Sequence, residues 1–432
     1  MKALSQPHRW RLLLVFGLVA AIGACGGGGD GTPDPEVTDG IYEPVTPAVA
    51  SAPYASALAD CAFNESRDDT CSLERLPFLG QETSSVTIDK LMERVITSHP
   101  WMAQRFREVL QTLPAPVLQM TRSLTAVVIG SKIRPSFYTT GTGAIYLDPE
   151  YLWLTQAERA TISDEEDYRA GFGNALQFVS LWRYVSNNNY AYYSYADSYT
   201  GTRSVYDIRL PIARLLFHEL THAGDFMPPA ALDGLARNQT LKQAIDAQRG
   251  HRISDELVAG SPLTSDTWKG LADVLYRGTT ASSSQKALTP SDVSSAFQPD
   301  RASDTYCYST QYEDIAMMAE EALMAFHFGV ERDIAFTNRP ANSNASGNDY
   351  IVAWGQRGRF REPRVAQAAQ FVLQRLLPSV DYSAQFARLR APVAMRSGES
   401  WNANLNPYAT DAPAAKRADA TALPLAERLP PG

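Results

Sequence analysis

Ile212, Leu215, Leu216, Leu220 and Ala223 recur at three- and four-residue steps, the spacing that lays apolar side chains along one face of a helix. Pro211 suits a first turn and Gly224 stands near a stop, so the pattern predicts a helix across this stretch. Val86 to Leu113 carries the same helical spacing with a break at Pro100 and predicts two helices. Met317, Met318, Ala319, Leu323 and Phe326 form another helix-like run, and further helices are expected in Arg364 to Leu377 and Tyr382 to Leu389. Leu124 to Ile129 is a short β-branched run, and Ala144 to Leu147 follows a Thr-Gly-rich turn, so both predict strands. Gly278 to Pro299, rich in Ser and Thr, predicts a loop. The mixture predicts an α+β domain.

At the amino end, Arg9 and Arg11 precede the apolar run Leu12 to Ile22, which closes on Ile22-Gly23-Ala24-Cys25. This run is too short for a spanning helix that stays in the membrane, and its exit resembles a bacterial lipobox. The resemblance implies that residues 1–24 are a lipoprotein signal peptide and that Cys25 becomes the first mature residue, bearing acyl chains such as palmitate. A plain secretory signal is the alternative. Gly26, rather than aspartate, follows the cysteine, which favours the outer membrane, facing the periplasm or the surface. Residues 25–55, rich in Gly, Pro, Thr and Asp, read as a flexible tether and 401–432 as a disordered tail, leaving 56–400 for a domain of one or two lobes.

Removing residues 1–24 takes away Lys2, Arg9 and Arg11 and no acid, so the formal charge moves from −8 to −11. So acidic a chain is not expected to bind nucleic acid. Cys61 and Cys71 flank a polar loop and would meet an oxidising periplasm, which predicts a disulfide between them. Cys307 is left over and reads as a free, buried structural cysteine.

The chemistry centres on His218-Glu219-Leu220-Thr221-His222. On a helix this places two imidazoles four residues apart on one face with a carboxylate beside them, an arrangement that suits a zinc ion and an activated water. With six histidines in 432 residues, chance would produce the pattern in roughly half a per cent of shuffled chains. Two histidines satisfied by neighbouring carboxylates, with no metal, are the alternative. The motif resembles that of the zincin metallopeptidases, in which the two histidines bind zinc and the glutamate is the general base. The resemblance implies a zincin-like fold, with a small mixed sheet packed on the active helix and a helical C-terminal lobe.

A catalytic zinc usually has a third protein ligand. The metzincin pattern fails, because Pro228 stands where its third histidine would be and Asp225 where its glycine would be. No downstream aspartate has an aspzincin setting, so a glutamate is expected. Tyr306 to Ala316 resembles the second half of the lethal-factor-type gluzincin site, where the ligand glutamate opens a helix and a tyrosine precedes it by seven residues. Glu313 and Tyr306 have that spacing, although Met317 replaces the acidic residue common four positions after the ligand. Glu256, Glu320 and Glu321 compete as ligands, and Tyr308 and Tyr312 as substitutes for Tyr306.

The resemblance thus implies a zinc peptidase acting on peptide or protein substrates from a lipid anchor. In it His218, His222 and Glu313 bind zinc, Glu219 is the base and Tyr306 donates to the oxyanion. A non-enzymatic lipoprotein binding peptide or glycan, and a zinc amidase acting on peptidoglycan stems, are the other readings. In zincins an edge strand pairs with extended substrate. Gly143 to Leu147 is the candidate here, with an interior position as the alternative. Tyr190, Tyr192, Tyr193, Tyr195 and Tyr199 line either a substrate cleft or one buried face of a hairpin. His251 and His327 are expected to be structural.

Overall fold

The computed structural model describes residues 44–63, 70–196, 198–342, 344–409 and 422–424. The expected signal peptide and Cys25 lie outside them. The described chain is α+β, with small sheets.

The first sheet orders its strands Thr46–Pro47, Val95–Thr97, Val127–Ile129, Ala144–Leu147 and Phe137–Thr139. Its three central strands are parallel, Val95 opposite Val127 and Val127 opposite Ile145. Alternation along them serves two faces. Val95, Val127, Ile129, Ile145 and Leu147 face the main core, while Ile96, Val128, Ala144 and Tyr146 pack with Ala57, Leu58 and Ala62 of the helix Ala55–Ala62. A disulfide joins Cys61 of that helix to Cys71, with the Cα atoms 5.6 Å apart.

Two expectations change here. Ala144–Leu147 is an interior strand, because Phe137–Thr139 folds back antiparallel along its outer side and takes the edge. Residues 86–113 are not simply two helices: Val95-Ile96-Thr97, a β-branched run, joins the sheet between the helices Ile88–Met92 and Pro100–Leu110. Pro100 begins the second helix, where its missing N–H costs nothing.

The second sheet is antiparallel and orders Val393–Ala394, Val352–Arg357, Glu331–Asn338, Phe178–Ser186 and Asn189–Tyr190. Asn187 and Asn188 make its tight hairpin with φ of 50° and 60°, the left-handed values that asparagine tolerates best after glycine. Trp182 and Tyr184 face the main core, whereas Val179 and Leu181 face Met395 and Trp401. On that second face Arg183 pairs with Asp333 at 2.8 Å, and its guanidinium lies 3.8 Å from the centre of the Trp401 ring.

Trp401 and Asn404 are buried, so the folded chain runs past the expected tail boundary at 401. Ala422–Pro424 also pairs with Tyr193–Tyr195. The tether likewise ends earlier than residue 55, since Thr46–Pro47 is already in the first sheet. In the tyrosine segment Tyr192 is buried against Tyr184, with ring centres 6.1 Å apart, as one buried face of a hairpin requires.

Gly278 to Pro299 is not a plain loop. It holds the helices Ser283–Ala287 and Pro290–Phe297, each opened by a reciprocal cap, Ser282 with Gln285 and Thr289 with Asp292. The serines and threonines start helices here, and Val293 and Phe297 supply the buried face against Trp268. Among the described residues no helix is long and apolar enough to cross a membrane.

Candidate metal centre

The helix that carries the histidines spans Val205–Phe226. Ser204 caps it: its hydroxyl accepts from the Asp207 N–H at 3.3 Å, and the Asp207 carboxylate accepts from the Ser204 N–H at 2.7 Å. The helix therefore starts earlier than the apolar stripe suggests, and Pro211 falls in its second turn rather than its first. An interior proline costs about 3 kcal/mol. Burial of Ile208, Ile212, Leu215, Leu216 and Leu220, at about 1.5–3 kcal/mol each, offsets it. Gly224 does stand near the stop, two residues before the helix ends at Phe226, and a Cβ at 224 would meet the end of the Leu376 side chain. The helix Pro363–Leu376 packs on that face.

The helix Gln311–Phe328 opens on Thr310, whose hydroxyl accepts from the Glu313 N–H at 3.1 Å. That cap fixes Glu313 in the first turn. Asp225 accepts from the N–H and the hydroxyl of Ser254 at 2.8 and 2.7 Å, and Gln311 donates to Asp255 at 2.7 Å. The helix Ile253–Gly260 thereby ties the end of one long helix to the start of the other.

Glu313 Oε2 lies 2.9 Å from His218 Nε2 and 3.3 Å from His222 Nε2, and the two Nε2 atoms are 3.3 Å apart. All three side chains are buried. Donors about 2.0–2.1 Å from a tetrahedral zinc are about 3.3 Å from one another, so this spacing and this nitrogen-nitrogen-oxygen donor set fit such an ion. Glu313 Oε1 and Glu219 Oε2 are buried without a hydrogen-bond partner among the described residues. Buried carboxylate oxygens ordinarily have one, and a cation with its water would satisfy both.

The electrostatics agree with a site built for positive charge. Burial disfavours a charged His218, yet Glu313 and Glu320 beside it raise its pKa to about 10. Burial also opposes the charge on Glu313, but His222 and His218 hold it well below the usual carboxylate range. Burial pushes Glu219 upward, which His218 and His222 partly counter.

The competing ligands stand outside that donor set. Glu256 is exposed and paired with Arg375 at 2.7 Å. Glu321 is buried, with Arg332 3.9 Å away. Glu320 meets the opposite face of the site, its Oε2 3.2 Å from His218 Nδ1. Tyr306, half-buried in the short helix Thr305–Tyr308, lies nearly parallel to the His218 ring with centres 6.2 Å apart. Tyr308 donates to Asp300 at 3.1 Å, and Tyr312 accepts from Arg252 at 3.0 Å while packing on Phe226. Both substitutes for Tyr306 are thus engaged elsewhere.

Cys307 is buried, and burial raises its thiol far above the ordinary value, so it is an inert packing group. His327 bonds Tyr382 at 2.9 Å, and His251 is exposed. The approach of Glu320 to the second nitrogen of His218 went unread in the sequence. Its signal was the seven-residue step from Glu313, two helical turns along one face.

Comparison with protein-family models, with curated proteins and with solved structures finds no match to this chain.

Proposed function

We propose that the chain is a zinc-dependent peptidase of gluzincin type, acting on peptide or protein substrates in the bacterial envelope. The observation that carries this reading is the convergence of His218, His222 and Glu313, two of them from the His-Glu-x-x-His helix and the third from a helix start 91 residues further on. A zinc ion at this place would supply an acidified water and a counter-charge for the oxyanion of the scissile carbonyl.

The remaining work falls to side chains of the chain itself. Glu219, buried with one oxygen unpartnered, accepts the proton as water attacks the carbonyl and returns it to the leaving amine. Burial raises its pKa and so strengthens it as a base. Tyr306, facing the His218 ring, donates a hydrogen bond to the developing oxyanion. A pure binding site has no need of an unpartnered carboxylate between two ligand histidines, which favours hydrolysis over peptide or glycan capture. In the same reading Cys25, after removal of residues 1–24, carries the lipid that holds the enzyme at the outer membrane.

The test is to measure zinc content and to map cleavage in a library of linear peptides and peptidoglycan stem peptides. Wild-type protein should hold about one zinc per chain and cleave peptide bonds. Glu219→Gln should keep the zinc and lose about two or more orders of magnitude in turnover. Near-normal turnover in that variant, or wild-type protein without zinc, would sink the reading, and cleavage confined to stem peptides would point to the amidase.

A further inference from the structure

A histidine that binds a metal through Nε2 carries its proton on Nδ1, and the acceptor facing that proton sets the ring's tautomer, orientation and basicity. Glu320 Oε2 lies 3.2 Å from His218 Nδ1, at ion-pair distance rather than in line for a straight hydrogen bond. Glu313 approaches Nε2 of the same ring at 2.9 Å. The two glutamates are seven residues apart on Gln311–Phe328, so they project from one face two turns apart, and a single helix addresses both nitrogens of one imidazole.

Glu320 is fully buried, and its neighbours hold its carboxylate in place. The Tyr184 hydroxyl donates to its Oε1 at 2.8 Å, Arg214 donates to its Oε2 at 3.3 Å, and Arg332 stands 3.6 Å from Oε1. A buried carboxylate unsupported by such partners would be strongly destabilising. Three elements contribute this support: Tyr184 from the second sheet, Arg214 one turn before His218, and Arg332 from the strand after the helix.

We propose that Glu320 is a positioning residue that holds the His218 imidazole with its proton on Nδ1 and Nε2 directed to the metal. The inference rests on the zinc reading above. It assigns Glu320 no contact with the metal or with substrate.

The experiment measures zinc affinity of the full chain, purified in detergent, by competition with a chromogenic chelator, together with the visible absorption of the cobalt-substituted protein. Glu320→Gln should weaken zinc about tenfold or more and shift the cobalt bands, because the ring loses its charged acceptor. Glu320→Asp withdraws the carboxylate by one methylene while keeping its charge near Arg214 and Arg332. It should change both readouts in the same direction, and it decides the matter if the glutamine variant fails to fold. Asp333→Asn breaks a buried ion pair of the second sheet and should lower stability without moving either readout. Wild-type-like zinc affinity and cobalt bands in both Glu320 variants, with His218→Ala abolishing zinc, would overturn this inference alone. A wild-type chain that binds no zinc would overturn it together with the zinc reading.

Discussion

His218 and Glu313 stand 95 positions apart in the chain, and Nε2 of one lies 2.9 Å from Oε2 of the other in a buried site. Two helix caps set that meeting: Ser204 starts the helix of the histidines, and Thr310 starts the helix of the glutamate. Bonds from Asp225 to Ser254 and from Gln311 to Asp255 then lock the two helix ends to a third helix. Burial opposes charge on both partners, yet Glu313 and Glu320 raise the pKa of His218, while His222 and His218 hold Glu313 well below the usual carboxylate range.

Glu313→Gln should therefore weaken zinc binding, since it removes the one anionic donor of the three. Glu256→Gln should leave zinc untouched and change stability by less than about 1 kcal/mol, because Glu256 sits in an exposed pair with Arg375. Chelator competition on both variants checks this, and zinc loss in Glu256→Gln but not in Glu313→Gln would reverse the ligand assignment.

Much of this site was legible because helical periodicity is local. The histidine pair, its apolar stripe and the helix that Glu313 opens could all be read from three- and four-residue steps. What depended on partners was not. Ala144–Leu147 reads the same as an edge or an interior strand, and only the folding back of Phe137–Thr139 decides between them. Val95-Ile96-Thr97 hides within a helical apolar spacing until Val127–Ile129 pairs with it. The Ser-Thr-rich stretch after Gly278 misled because the same residues make loops and helix caps. Trp401 looked like the start of a tail because its reason for being ordered, Arg183, lies 218 residues earlier.

The three tyrosines near Glu313 should separate by experiment. Tyr306→Phe should lower turnover about a hundredfold with zinc content unchanged, as expected for one oxyanion donor. Tyr308→Phe and Tyr312→Phe should instead cost about 1 kcal/mol of stability each, from the bonds to Asp300 and Arg252. Turnover on a cleaved peptide and urea midpoints for all three variants test the division. A rate loss in Tyr308→Phe with none in Tyr306→Phe would move the catalytic hydroxyl.

The proposed anchoring depends on Cys25, which lies outside the described residues. Cys25→Ser should release the protein from the membrane fraction or leave residues 1–24 attached, read by fractionation and by intact mass. Unaltered processing and unaltered membrane attachment would remove lipidation at this residue from the proposal.

Glu321 should leave a mark on stability against pH. It is buried beside Glu320, neither of its oxygens has a well-formed hydrogen bond among the described residues, and Arg332 is 3.9 Å away. Burial, opposed by Arg332 and reinforced by Asp304 and Glu320, raises its pKa to about 8, with only a minor lowering from Ser303. The unfolded chain, by contrast, releases this proton near its ordinary value of 4.5. Between those two values the folded state binds a proton that the unfolded state does not. The contribution is therefore fully present below about pH 4.5 and is lost progressively as pH rises toward about 8, by up to about 1.4 kcal/mol per pH unit. Glu321→Gln keeps the shape and cannot titrate, so its stability relative to wild type should climb across that window and level off above it. Urea unfolding of both metal-free proteins at several pH values between about 5 and 9 measures the difference, in which the titration of His218 and the other shared groups cancels. Parallel curves would mean that Glu321 is ionised in the fold throughout, with Arg332 compensating it in full.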